Sequence, residues 1–322
     1  LSLSNESFLS RRTSQLVDVF AQVDLNNLEI AQVQMGSRLH YFSNGQYVKW
    51  SPRFKAQFYP EKQISSGFGY SKNYQFLHRL DFYNINSTDF WIITNEDQPP
   101  SSSDYFTTNL KIRPSSDWYF QIEGYYKLYK NMRIHTLNTG LISNTFQEEE
   151  LPWLYSNSGT GKGVEFFGRK RIQRTTISAT YVLSSIKIKN PRLNGGESYY
   201  ANWDRQNQLS FNVETTLSKG FELFAAWNYS TGTPNRAVIE SNESDRLAAY
   251  SRIDLSLRYT HISESGQKAM LSISAYNLTD RDNPIYADLK VGLNTSTILR
   301  ETAFITVYDL GFQPSLKASL SF

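Results

Sequence analysis

Apolar and polar residues alternate with period two along most of the chain, the pattern of strands with two chemically different faces. Thirteen segments carry it: 16–24, 32–41, 48–58, 64–71, 106–113, 118–128, 163–169, 176–184, 209–217, 221–230, 252–259, 269–276 and 304–322. In 48–58, Val48, Trp50, Pro52, Phe54, Ala56 and Phe58 alternate with Lys49, Ser51, Arg53, Lys55 and Gln57. The last segment contains Gly311 and Pro314, yet every even position from Phe304 to Phe322 is uncharged and mostly apolar. A turn ordinarily resets parity, so the pattern predicts one long strand, with Pro314 at an irregularity.

Across all thirteen segments the apolar parity holds no Asp, Glu, Lys or Arg, whereas the opposite parity holds many. That is what lipid on one side and water on the other require, because a charge at the bilayer midplane costs about 2–4 kcal/mol. Aromatic residues lie toward the segment ends on the apolar parity, as in an interfacial girdle: Trp50, Trp118, Tyr126, Tyr181, Trp227, Tyr259 and Phe322. A large soluble sandwich would also alternate. Connection lengths separate the two. Short joints at 25–27, 59–62, 114–116, 218–220 and 261–268 alternate with long ones at 75–104, 129–161, 185–206, 231–250 and 278–303, only 43–46 departing from the rule. Short periplasmic turns facing long extracellular loops are the outer-membrane barrel pattern. The expected fold is therefore all-β, a transmembrane antiparallel β-barrel. With the last strand running down, the first runs down too, and 1–15 reads as an extracellular loop leading in. An odd number of strands does not complete a bacterial barrel, so either the count is off by one and the chain is a self-closed barrel of 12 or 14 strands, or 1–322 is the C-terminal portion of one larger barrel domain, a choice that falls to the motifs below.

Composition sharpens this reading. Aromatic residues make up 15% of the 322 residues, yet only 39% are hydrophobic and the mean hydropathy is −0.49, so no apolar run can form a membrane helix. A net charge of +3, dispersed along the chain, excludes nucleic acid as an expected partner. Cysteine is absent, which removes disulfides and thiolate metal sites.

Several motifs, taken in order, resemble the TonB-dependent outer-membrane receptors. They are Trp50-Ser51-Pro52-Arg53-Phe54, Gly161-Lys162-Gly163-Val164-Glu165-Phe166, Trp203-Asp204-Arg205, Ser230-Thr231-Gly232-Thr233-Pro234, Tyr250-Ser251-Arg252-Ile253-Asp254-Leu255 and Tyr276-Asn277-Leu278-Thr279-Asp280, with Phe322 terminal. Gln206-Asn207 departs from the family, where relatives often carry a basic residue and a His. Tyr41-Phe42-Ser43-Asn44-Gly45 resembles receptors of Bacteroidota. The resemblance implies a 22-stranded barrel in the outer membrane with a plugged lumen, of which about 13 strands are present here and the N-terminal plug is not. It implies import of a scarce nutrient such as a ferric siderophore, energised by TonB–ExbB–ExbD acting on the plug. Outer-membrane lipid and lipopolysaccharide surround such a barrel, and a surface lipoprotein is a further partner. A receptor-like barrel acting as a structural or secretion-complex subunit is the alternative.

Candidate contacts follow from the faces. Arg38, Arg53, Lys55, Lys111, Arg113, Lys127, Arg169, Arg252 and Arg258 fall on the polar parity and could meet an anionic ligand or a plug. Glu123, Glu165, Glu214 and Asp254 on the same parity are expected to pair with them. Trp91, Trp153, Tyr199, Tyr200 and Trp203 lie in long connections, able to stack on a ligand or on one another. Glu148–150 reads as a solvated loop. The four histidines, 40, 78, 135 and 261, lack ligand spacing, so no metal, cofactor or catalytic group is expected. His40 has no nucleophile identifiable in the sequence; a barrel-wall hydrolase would lose activity on its substitution. Gly-Thr-Gly-Lys at 159–162 fails the phosphate-loop spacing.

Overall fold

A computed structural model describes residues 13–26, 29–80, 90–135, 154–191, 194–235, 246–294 and 299–321. Its strands are β1 (Leu16–Leu25), β2 (Ala31–Phe42), β3 (Tyr47–Phe58), β4 (Ile64–Gln75), β5 (Leu77–Leu80), β6 (Phe90–Ile93), β7 (Ser101–Ser115), β8 (Trp118–His135) and β9 (Leu154–Ile172). The remainder are β10 (Thr175–Lys189), β11 (Ser198–Tyr200), β12 (Asn207–Ser218), β13 (Phe221–Ser230), β14 (Tyr250–Ile262), β15 (Lys268–Tyr276), β16 (Pro284–Asn294), β17 (Leu299–Tyr308) and β18 (Gln313–Ser321). One antiparallel meander runs β1-β2-β3-β4-β7-β8-β9-β10-β12-β13-β14-β15-β18, with β11 hydrogen-bonded to β10. The thirteen strands of this path match the thirteen alternating segments, and β1 and β18 are its edges. No helix among the described residues is long and apolar enough to cross a membrane.

The faces divide as the alternation requires. Cross-strand partners share a face, and the row Val19↔Leu39↔Trp50 continues down the sheet through Val23↔Met35↔Phe54. Large apolar residues of this face are open to the surroundings, to 66% at Val19 and 71% at both Leu316 and Leu320. Each would cost about 1.5–3 kcal/mol to leave in water. Among the described residues buried apolar side chains are few: alanines such as Ala31, Ala56 and Ala226, with Ile188, Phe42 and Phe76 toward the end that carries the long connections. The apolar face therefore has lipid where a soluble domain would have a core.

Two expectations need correction. The long strand over 304–322 is two: β17 pairs with β16 as a separate hairpin, and β18 pairs with β15. Four residues, 309–312, separate β17 from β18, and an even number preserves parity across a break. Several strands also extend past their apolar segments. β9 reaches back to Leu154 and β4 on to Gln75, which puts charges on the apolar parity beyond the girdle aromatics. Phe322 lies outside the described residues.

The two ends of the sheet differ. At one end strands join in a few residues: Gln173 and Arg174 between β9 and β10, Lys219 and Gly220 between β12 and β13. Gly220 and Gly266 take φ +83° and +85° in these turns, a conformation that favours glycine. At the other end the connections are long and carry β5–β6, β11 and β16–β17. Ser43–Gln46 is the exception, closed by Gly45 at φ +80°.

Candidate functional site: the polar face and the loop-end clamps

The basic residues of the polar face fall in three zones. Toward the turn end, Lys55, Lys111 and Arg113 line a cavity of about 500 Å³ with Gln32, Gln34, Gln57 and Asp24. Asp24 already accepts from Gln34 Nε2 (2.7 Å) and Gln22 Nε2 (2.8 Å), so three cations there face one engaged carboxylate. At mid-sheet the cations rest on rings. Lys127 Nζ lies 4.5 Å from the Tyr105 ring centre; nearer the turn end, Arg113 and Arg169 lie 5.8 and 5.7 Å from Tyr119. Tyr125 occupies the same face, against Gly163, where a Cβ would come within 2.7 Å of its ring. That contact explains the glycines of the Gly161–Phe166 motif: they leave room for tyrosine rings, not for phosphate.

Arg38 lies 3.9 Å from Asp18, Arg53 donates to Gln22 Oε1 (2.5 Å), and Arg258 pairs with Glu222 (3.0 Å). The expected Arg252–Asp254 pair forms at 3.0 Å. Glu123 and Glu165 instead stand directly opposite each other across β8 and β9. They add negative charge to the polar face rather than neutralising one of its cations.

At the loop end the remaining motifs become clamps. Asp204, fully buried, accepts from Ile186 N–H (2.6 Å) and from Arg246 Nη2 (2.6 Å). Arg246 Nη1 donates to the carbonyls of Asp204 (3.1 Å) and Gly232 (3.0 Å), tying the β10–β12 and β13–β14 connections together. A Cβ at Gly232 would run into the Leu247 carbonyl, which is why the Thr-Gly-Thr-Pro turn needs glycine there. Tyr200 lies between Lys187 (4.6 Å) and Arg246 (4.9 Å). Tyr199 is drawn inside the loop packing, where burial pushes its phenol pKa up. Of the loop aromatics, Tyr199 and Tyr200 thus pack the connections, whereas Trp91 (57%) and Trp203 (50%) stand open to solvent. Trp153 lies outside the described residues.

A second clamp holds the segment between β15 and β18. Asn277 is fully buried, takes φ +49°, and donates from Nδ2 to the carbonyls of Arg281 and Leu310, both at 3.0 Å. Its own N–H donates to Asp254 Oδ1 (3.0 Å). Asp309 accepts from the hydroxyls of Tyr250 and Tyr276, each at 2.7 Å, while Arg252 donates to both hydroxyls. Burial opposes the Asp309 charge, but these hydroxyls, the Leu310 N–H and Arg252 outweigh it and hold the carboxyl below the usual range. Arg252, a candidate ligand contact in the sequence, is committed to this clamp.

A third clamp overturns the expectation that His40 has no nucleophile beside it. His40 is buried; its Nδ1 lies 2.7 Å from Asp18 Oδ1 and its Nε2 lies 2.9 Å from Ser51 Oγ, across β1, β2 and β3. The order carboxylate–imidazole–hydroxyl is that of a hydrolase. The residue after Ser51, however, is Pro52, which has no N–H to offer a developing oxyanion. Phe42 and Phe76 stack beside it at 4.9 Å, and the row binds three strand ends. His78, a buried residue of β5, is pushed down to about 4, first by burial and then by the nearby Arg133 charge. Among the described residues no group of three or more His, Asp or Glu could hold a metal. The clamp partners are remote in sequence, and the signal for those that carried one was their place in the motifs, as with Asp204, Tyr250, Arg252, Asp254, Tyr276 and Asn277.

A family model described as TonB dependent receptor-like, beta-barrel, matches residues 3–278. Solved structures share the fold. The ferric yersiniabactin uptake receptor FyuA from Yersinia pestis aligns with TM-score 0.68 at 11% identity, over 96% of this chain and 46% of that one. The ferric preacinetobactin receptor BauA from Acinetobacter baumannii gives 0.64 at 13%, over 96% and 43%. The outer membrane transporter YddB from Escherichia coli gives 0.62 at 12%, over 95% and 45%. The chain spans less than half the length of each. No curated protein sequence matches.

Proposed function

The chain belongs to the TonB-dependent receptor-like β-barrel family, an outer-membrane family of receptors and transporters, and from that premise we propose that it forms part of the wall of an importer for a scarce nutrient such as a ferric siderophore. The apolar face meets lipid, with Trp50, Tyr126, Tyr181 and Trp227 in the outer aromatic belt and Trp118 and Tyr259 in the periplasmic one. The polar face lines the lumen, and the clamped end is extracellular. The observation that carries the reading is the pairing of an exposed face that is apolar and uncharged between its aromatic belts with a lumen face where Lys55, Lys111 and Arg113 share a cavity and Lys127 lies on tyrosines. Such a surface attracts an anionic cargo and offers it ring faces. Exposed Trp91 and Trp203 are the loop residues available for first contact.

We read the chain as the C-terminal part of a barrel whose remaining strands and plug lie in the rest of the protein. In this reading TonB–ExbB–ExbD acts on the plug, and Arg38 and Arg53 face it. The test is radiolabelled iron uptake from defined ferric siderophores by a strain lacking the full gene. Loss of uptake of one siderophore, restored by the full gene only when TonB is present, supports the proposal; unchanged uptake of every scarce nutrient tried leaves the barrel as a structural or secretion subunit.

A further inference from the structure

We propose that the cavity at the turn end of the polar face is an anion-binding station of the lumen, remote from the loop end, for a small ligand carrying two or more carboxylate or phosphate groups. The proposal rests on the importer reading above for its place at the periplasmic mouth, and goes beyond it in naming a second site and the valence of what that site takes. The site is a lane between two walls. β4 lies between β3 and β7, and its polar-face residues there are Ser65, Gly67 and Gly69, in register with Lys111, Asn109 and Thr107 of β7. On the other side Gly67 and Gly69 face Gln57 and Lys55 of β3. No side chain larger than that of the buried Ser65 rises from the lane, which leaves room for a cavity of about 500 Å³. At Gly67 a Cβ would come within 2.6 Å of Gln57 Oε1 and 2.8 Å of Asn109 Nδ2, so a side chain there would displace the amides that converge over the lane.

The cations of the lane are not neutralised by the protein's own carboxylates. Lys55 stands on one wall, Lys111 and Arg113 on the other. Among the described residues neither lysine has an ion pair, and the Arg113 side chain donates to the Pro60 carbonyl (3.4 Å) and rests on Tyr119. Asp24, the one carboxylate lining the cavity, is held by Gln22 and Gln34. Glu123, opposite Asn109 on β8, lies outside the cavity and accepts from Gln121 Nε2 (3.2 Å). Three cations against one engaged carboxylate, in a cleft rather than on an open surface, concentrate counter-anions. Lys111 is also half-buried, and an anion beside it would offset the hydration its charge has lost. Spacing sets the valence. β3 and β7 are two strand intervals apart, about 10 Å, whereas Lys111 and Arg113 lie about 7 Å apart along one strand. A single oxyanion between Lys111 and Arg113 leaves Lys55 unanswered, so the ligand has at least two anionic groups. Gln32, Gln57 and Ser65 complete a lining that suits a polar ligand rather than an apolar one.

The test is calorimetric titration of the purified full-length receptor with tricarballylate, pyrophosphate or acetate. Tricarballylate or pyrophosphate should bind at least about tenfold more tightly than acetate, the tighter of the two naming the oxyanion, and added salt should weaken the binding. Lys55→Gln and Lys111→Gln should each weaken it about tenfold, the loss of one charge-assisted contact, while Lys111→Arg retains it. Heat-modifiability on gels reports whether each variant still forms the barrel. Anion binding by a receptor that imports no siderophore would uphold the site and break the importer reading. Folded Lys55→Gln and Lys111→Gln variants that bind as wild type does would overturn the proposal, as would acetate binding as tightly as the multivalent anions. Absence of binding to the full-length receptor would overturn it too, the outcome if carboxylates from the rest of the protein fill the lane.

Discussion

The two ends of the same strands are built on different principles. At the turn end, β9 passes into β10 and β12 into β13 through two residues each, and the specifying chemistry is local: one residue at positive φ, Gln173 at +52° and Gly220 at +83°, and the register of the adjoining pair. At the clamped end the connections are long, and order comes from buried side chains that reach across tens of residues, Asp204 to Arg246 and Asn277 to Leu310. A sheet end that carries long connections cannot rely on turn geometry. It holds the loop roots instead and leaves residues such as Trp91 and Trp203 exposed beyond them.

Breaking the clamps should therefore loosen one end and spare the other. The largest effect is expected from Asp204→Ala, which strands the Arg246 guanidinium and the Ile186 N–H. Removing one partner of a buried ion pair costs about 3–5 kcal/mol. Hydrogen exchange should rise in the connections at 190–206 and 246–249 while the turn at Gly220 keeps its protection. Asn277→Ala comes next, at about 1–3 kcal/mol, because the two hydrogen bonds from the buried Asn277 amide to the carbonyls of Arg281 and Leu310 are lost; protease cleavage between β15 and β18 should accelerate. At the turn end, Gly266→Ala should cost only about 1 kcal/mol, since φ is +85° but nothing lies within 4 Å of the added carbon. Its measured effect on thermal unfolding should be the smallest of the three substitutions.

A pH titration sharpens the same contrast within the clamped end. The folded pKa of His78 is about 4 against an ordinary 6.5. Its depressed value means that stability is complete above pH 6.5 and is lost as pH falls toward 4, where the unfolded hairpin binds a proton that the folded one refuses. Exchange rates corrected for intrinsic pH dependence should rise in β5–β6 over that window and stay level in β12–β13. His78→Phe should abolish the pH response.

Strand number, faces and turn positions were legible because period two survives in any half-buried strand, as in 48–58. The split at 309–312 was hidden by its even length. The clamps were hidden for a different reason: Asp18, His40 and Ser51, or Asp254 and Asn277, become neighbours only through register, which one sequence does not display. Motif residues read as family markers turned out to be clamp residues, and Arg252, read as a ligand contact, serves Asp309. Lys162 fell just outside its alternating segment, so a charge on the apolar parity went unseen until β9 was found to extend past it.

The central claim is that alternate residues of each strand face lipid and an aqueous lumen. The chain has no cysteine, which makes a single-cysteine scan of β8 in the full-length receptor, in intact outer membrane, the most direct measurement. Gln121→Cys, Glu123→Cys and Tyr125→Cys should react with a water-soluble maleimide, while Phe120→Cys, Ile122→Cys and Gly124→Cys should react only with a lipid-soluble reagent. Equal aqueous reactivity at odd and even positions would contradict the account.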